Sequence, residues 1–147
     1  MTAVPPPPYD ILLVEDDDAD ALLVEEALPA ALGTRRLTRV VDGIDALELL
    51  RGPAGYRPDL IILDLNMPRM NGNELLAILK QDPDLVTIPV VILTTSQEPD
   101  GIADAYRKHA NAYVTKPVGL DAFTRAVRSL DSFFLDTAYI SRPPEEL

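Results

Sequence analysis

Leu60-Ile61-Ile62-Leu63-Asp64-Leu65-Asn66-Met67-Pro68 is the stretch on which the reading of this chain turns. Four apolar residues in a row, closed by a carboxylate, suit a short strand of a parallel sheet buried on both faces. The same pattern recurs on either side. Ile11 to Val14 runs into Glu15-Asp16-Asp17-Asp18, and Val90 to Leu93 runs into Thr94-Thr95-Ser96. Ala112-Tyr113-Val114 is shorter and runs into Thr115-Lys116-Pro117, while Leu37 to Val41 is more polar and reads as an edge strand.

Amphipathic stretches separate these runs. Ala19 to Leu28 is closed by Pro29, and Ile44 to Leu50 follows Asp42, a suitable N-cap. Asn71 and Glu74 have capping-box spacing ahead of a helix through Lys80. Ile102 to His109 is a fourth helix. Leu120 to about Leu135 is the fifth, with Phe123, Val127, Leu130 and Phe134 on one face. Five β–α units in succession predict an α/β fold, a doubly wound parallel sheet with helices on both faces. Ligands in such sheets bind beyond the carboxyl ends of the strands.

At that rim the sequence places Glu15, Asp16, Asp64, Thr94 and Lys116. Two carboxylates ~5 Å apart at an effective dielectric of 20 repel by ~3 kcal/mol, so the acids call for positive charge or for one of them to stay protonated. An all-oxygen ligand set favours a hard cation, and Mg²⁺ is commonly held by one or two carboxylates with phosphate oxygens and water. Lys116 adds a permanent positive charge, and a pocket so equipped is prepared for phosphate. Taken singly, each residue has a plainer role. Asp17, Asp18 and Asp20 are better explained as favouring the N-terminus of the first helix through its dipole. Asp64 alone could be a turn residue, and Lys116-Pro117 a surface loop. Four polar groups each placed directly after a buried strand are hard to attribute to accident.

In this order and at these separations, Val14-Glu15-Asp16-Asp17, Leu63 to Pro68 with Met70-Asn71-Gly72, Val90 to Thr94 and Tyr113 to Pro117 resemble the receiver domain of two-component response regulators. The resemblance runs from about Ile11 to Leu130. It implies a five-stranded, (βα)5 flavodoxin-like fold of strand order 2-1-3-4-5. It implies Asp64 as the acceptor of a phosphoryl group from a sensor histidine kinase. Glu15 and Asp16, with Asp64 and the main-chain carbonyl of Asn66, match the residues that hold Mg²⁺, with Mn²⁺ as a substitute. Thr94 and Lys116 match the phosphate-sensing hydroxyl and lysine, and Tyr113 matches the aromatic switch. A cis Lys116–Pro117 bond is implied as well. Many receivers carry Asp where this chain has Glu15, whose longer side chain could hold the metal only through water.

Leu93 to Ser96, Ala105-Tyr106, Ala110 to Tyr113 and Phe133-Phe134 are most similar to stand-alone regulators that partner bacterial phytochromes. Signalling through the surface of helix 4, strand 5 and helix 5 is then expected, towards a downstream protein or a further phosphotransfer partner. Phe133, Phe134 and Tyr139 exceed what a receiver core requires, and an intramolecular clasp or a homodimer contact would account for them equally well. The expected organisation is a Pro-rich disordered tail over 1–8, a receiver domain over 9–135 and a C-terminal tail over 136–147.

Composition bounds the function further. Lys and Arg total 13 against 24 Asp and Glu, a formal charge of −11. Nucleic acid and anionic membrane surfaces are therefore not expected partners. With no Cys and only His109, thiolate and His-rich metal sites are excluded. The longest apolar run, Leu75 to Leu79, is far short of the ~20 residues a membrane helix needs, and cytoplasm is the default. His109, near the end of the fourth helix, reads as a surface residue favoured by the helix C-terminus. An Mg²⁺-dependent aspartyl-phosphate hydrolase would need a second Asp two residues after Asp64, where this chain has Asn66. A receiver-like binding module that is never phosphorylated stays open, although its mark would be loss of the acids or lysine. A nucleotide fold would need a Gly-rich loop after the first strand, and none is present.

Overall fold

The chain is described by a computed structural model covering residues 8–28 and 34–141. The expected Pro-rich tail therefore lies, except for Pro8, outside the described residues. Five strands, β1 (Tyr9–Val14), β2 (Arg35–Val40), β3 (Leu60–Leu63), β4 (Val90–Thr94) and β5 (Ala112–Thr115), alternate with five helices. The helices are α1 (Asp18–Ala27), α2 (Gly43–Leu50), α3 (Gly72–Gln81), α4 (Pro99–Arg107) and α5 (Leu120–Asp131). All strand pairs are parallel, in the order 2-1-3-4-5. This is the flavodoxin-like receiver fold, with β2 on the edge.

Side chains alternate across each strand, so successive apolar residues feed two separate cores. Leu12, Val14, Ile61, Leu63, Val90 and Ile92 face α2, α3 and α4, packing on Ala46, Leu50, Leu75, Leu76, Leu79 and Ala105. Ile11, Leu13, Leu60, Ile62, Val91 and Leu93 face α1 and α5, packing on Ala21, Val24, Phe123, Val127 and Leu130. Burial on both sides explains why these strands read as unbroken apolar runs. Among the described residues no helix is long and apolar enough to cross a membrane.

The caps follow local chemistry. The side chains of Asp17, Asp42 and Asn71 accept from the amides of Asp20, Asp45 and Glu74, at 3.0, 2.9 and 3.0 Å. Helix α4 starts at Pro99, three residues earlier than the apolar pattern indicates, because Pro suits the first helical turn. His109 is exposed and sits at φ 69°, just past that helix. The Lys116–Pro117 bond is trans, as are all peptide bonds among the described residues, correcting the cis form implied by the family resemblance. The trans form is the intrinsically preferred one for an X–Pro bond.

The end of the fifth helix is a second correction. After Asp131 the chain forms a π-helical turn, Ser132–Thr137. Its extra residue per turn rotates the inward face, so Leu135 is buried in place of the expected Phe134, which is only partly buried. Arg35 fastens this turn to the sheet edge. Its guanidinium pairs with Asp131 at 2.7 Å and Asp136 at 2.9 Å, and lies 5.3 Å from the Tyr9 ring centroid.

Asp42 does more than cap α2. It is buried, and Arg69, at φ 59° in the loop after β3, pairs with it and with Asp45. The Arg69 hydrogen bonds, offset in part by burial and aided by the Asp45 amide, hold the Asp42 carboxyl below its ordinary 3.8. A depressed carboxyl contributes stability that is complete above its unfolded pKa and fades as pH falls through the folded value. Asp42→Asn should therefore cost stability near neutrality, and the deficit relative to wild type should shrink below about pH 4. Denaturant midpoints for both proteins between about pH 7 and 3 measure this. A deficit independent of pH would show that the ion pair contributes nothing.

Candidate metal and phosphoryl site

The register of the sheet builds the site. Val14 pairs with Leu63, so Glu15 and Asp64, the next residue on each strand, emerge side by side. Leu63 pairs with Ile92 and Thr94 with Thr115, which brings Thr94 and Lys116 to the same rim. Oxygens of Glu15, Asp16 and Asp64 lie within 4.8 Å of one another. Glu15 and Asp64 are buried, whereas Asp16 is exposed.

Burial, reinforced by Asp64, pushes the Glu15 carboxyl up to about 7, although its Lys116 hydrogen bond works in the opposite sense. Buried acids this close are better accommodated with a cation. All donors are oxygens, so the cluster fits a hard divalent ion. Lys116 Nζ reaches Glu15 at 2.6 Å, Asp20 at 2.8 Å and Asp64 at 3.7 Å. Burial works against the ammonium, but Asp20 and Glu15 outweigh it and hold the lysine above its ordinary value.

Thr94 is fully buried, and its hydroxyl oxygen accepts from the Asn66 side-chain amide at 3.4 Å. Asn66 is exposed at the mouth, with its backbone N–H 3.4 Å from an Asp64 oxygen. Tyr113 is part-buried and donates its hydroxyl to the Ser96 carbonyl at 2.9 Å. Its backbone N–H donates to the Tyr106 hydroxyl at 3.2 Å. The structure thus brings Glu15, Asp16, Asp64, Asn66, Thr94 and Lys116 together, with Tyr113 one loop away. Phe133, Phe134 and Tyr139 are distant from this rim. Phe133 is 55% exposed and stacks edge-on with Phe134 at 5.2 Å, Tyr139 is fully exposed, and Phe134 packs partly into the α1–α5 core.

Two contacts at this rim are not legible in the sequence. By sequence Asp20 reads as an acid favoured by the helix dipole, yet its carboxylate accepts from Lys116 across a sequence separation of 96 residues. Arg39, on the edge strand, donates to the Glu15 carbonyl at 2.9 Å and pairs with Asp18 at 2.8 Å, steadying the turn that carries the acids. Nothing local marks either residue.

A parallel sheet carrying acids, a hydroxyl and an ammonium on its carboxyl rim defines a receiver, and the chain belongs to that family. The model described as response regulator receiver domain matches residues 11–128. The chain is homologous to phytochrome response regulators. It is 44% identical over 135 residues to "Response regulator Rcp1" of Synechocystis sp., covering 89% of this chain and 92% of that protein. The phosphorylated cyanobacterial phytochrome response regulator RcpA superposes with a TM-score of 0.88 at 41% identity, covering 92% of this chain and 99% of that one. The Mn²⁺-bound form of Rcp1 superposes with a TM-score of 0.86 at 42% identity, covering 92% and 100%.

Proposed function

We propose that this chain accepts a phosphoryl group on Asp64 from the phosphohistidine of a bacteriophytochrome-type sensor kinase, and signals by a change in its α4–β5–α5 surface. The observation that carries the reading is the convergence of Glu15, Asp16 and Asp64 within 4.8 Å, with Lys116 against them. The phosphorylated relative RcpA and the Mn²⁺-bound relative Rcp1 support it, and RcpA, a cyanobacterial phytochrome response regulator, supports the phytochrome pathway.

Phosphoryl transfer needs in-line positioning and neutralisation of spreading negative charge. An Asp64 carboxylate oxygen forms the new P–O bond while the P–N bond to the kinase imidazole breaks, leaving the electron pair on that nitrogen. Glu15, Asp16, Asp64 and the Asn66 carbonyl would hold Mg²⁺, which supplies charge neutralisation at the phosphoryl oxygens. Lys116 supplies the second cation and the Thr94 hydroxyl a donor.

The product adds about −1.5 to −2 charge. That charge draws the Lys116 ammonium and the Thr94 hydroxyl towards Asp64, away from the Asn66 amide that Thr94 now meets. Vacated space beside Thr94 lets Tyr113 leave the Ser96 carbonyl, and this alters the face formed by α4, β5 and α5.

The deciding experiment is intact mass after incubation with a small phosphoryl donor, with Mg²⁺ and with chelator. One base-labile phosphoryl group that requires the cation is expected. Failure to form any adduct under both conditions, with the donor unconsumed, would leave a binding module. A bacteriophytochrome-type kinase labelled on its histidine should transfer faster than an unrelated histidine kinase. Equal rates would remove the pathway assignment.

A further inference from the structure

We infer that Asp20 is a positioning residue for Lys116, keeping the ammonium beside Asp64 when a divalent cation engages Glu15; this rests on the phosphoacceptor reading above. An ammonium has three donors. Two are spent here, on Glu15 at 2.6 Å and Asp20 at 2.8 Å, and Asp64 stands 3.7 Å away within reach of the third. The two anchors are not equivalent. Glu15 belongs to the cation cluster with Asp16 and Asp64, and Asp20 does not. A cation that draws on the Glu15 carboxylate competes directly with Lys116 for it, and places like charge next to the ammonium.

Asp20 is the one anchor free of that competition. It sits in the first turn of α1, where its own backbone N–H is fixed by the Asp17 side chain at 3.0 Å. Its carboxylate is therefore carried by a rigid element, 30% exposed and outside the cluster of Glu15, Asp16 and Asp64. Lys116 is 7% exposed, so an ammonium released from both anchors would keep only Asp64, 3.7 Å away, as a carboxylate partner in a buried site, and Asp64 itself belongs to the cation cluster. With Asp20 in place, Lys116 stays oriented to meet the incoming phosphoryl oxygens.

The test uses the full chain at saturating Mg²⁺, so that a change in cation affinity does not enter. Asp20→Asn, with far-UV circular dichroism unchanged, should slow phosphoryl uptake from a small donor by about tenfold, the scale of one charge-assisted hydrogen bond. Asp20→Glu, whose carboxylate still reaches Lys116, should restore most of the rate. In a Lys116→Met background the Asp20→Asn change should have an effect below about twofold, since the lysine it positions is gone.

A second readout needs no phosphoryl chemistry. The ¹⁵N-detected ammonium signal of Lys116, assigned by its loss in Lys116→Met, should persist in Mg²⁺-loaded wild type and exchange faster with water in Asp20→Asn. Equal uptake and an unchanged ammonium signal would overturn the inference. An equal slowing in both lysine backgrounds would also overturn it, because Asp20 would then act through its charge alone. Absence of uptake by wild type itself would sink the phosphoacceptor reading, and the ammonium signal would still decide the role of Asp20.

Discussion

Asp64→Asn is expected to abolish phosphoryl uptake while leaving the domain folded and at least as stable as wild type. The two side chains have nearly the same shape, and the site at residue 64 is buried at 7% exposure with its backbone N–H bonded to the Val14 carbonyl at 3.0 Å. An amide lacks the anionic oxygen needed to form an acyl phosphate. The substitution also removes one of three mutually repelling carboxylates, a relief of up to ~3 kcal/mol for a pair ~5 Å apart at dielectric 20. Lys116 keeps Glu15 and Asp20, so no buried charge is orphaned. Intact mass with a phosphoryl donor and a thermal melt of the same preparation measure both halves. Uptake at the wild-type rate would mean that another residue is the acceptor. A collapsed melt would mean that Asp64 is chiefly structural.

The second large effect is expected at a residue that takes no part in the chemistry. Gly72→Ala should lower stability by about 1–3 kcal/mol and slow phosphoryl uptake together. Gly72 opens α3, and its N–H donates to the Leu65 carbonyl at 3.1 Å, drawing the helix start against the strand end that carries Asp64. A Cβ at this position would sit 2.8 Å from Leu65 Cα and 3.0 Å from the Asp64 carbonyl carbon, and would press on the Asp64 carbonyl oxygen. All of these are backbone atoms, which cannot swing aside like a flexible side chain. Either the helix backs away or residues 64 and 65 shift, and the second response moves Asp64 from its place beside Glu15. Denaturant unfolding and uptake rate check the pair. A stable variant with normal uptake would show that the loop has slack. A destabilised variant with normal uptake at low temperature would show that the helix absorbs the whole displacement.

The sequence by itself determined the sheet, its parallel pairing and the composition of the rim. Strands buried on both faces must be wholly apolar, so Ile11 to Val14, Leu60 to Leu63 and Val90 to Leu93 announce themselves. The polar residue that ends each run falls at the carboxyl edge, because every strand runs the same way. Glu15, Asp64, Thr94 and Lys116 were legible for that reason, and the family resemblance assigned their expected roles. Helix boundaries were legible where a side chain caps them, as at Asp42 and Asn71, and misplaced at α4, where a proline rather than an apolar residue begins the helix.

What depends on the path of distant segments was decided only by the tertiary structure. Asp20 reads as one more acid in a helix start until β5 brings Lys116 within 2.8 Å of it. Arg69 and Asp42, 27 residues apart, become partners only when α3 and α2 dock side by side. The turn after α5 winds as a π-helix that buries Leu135 and leaves Phe134 only partly buried, and it is tied to the β2 edge strand by Arg35, which pairs with both Asp131 and Asp136. Periodicity reports which face of a segment is apolar. Which charge meets which across the fold is set by packing, and local sequence carries no term for it.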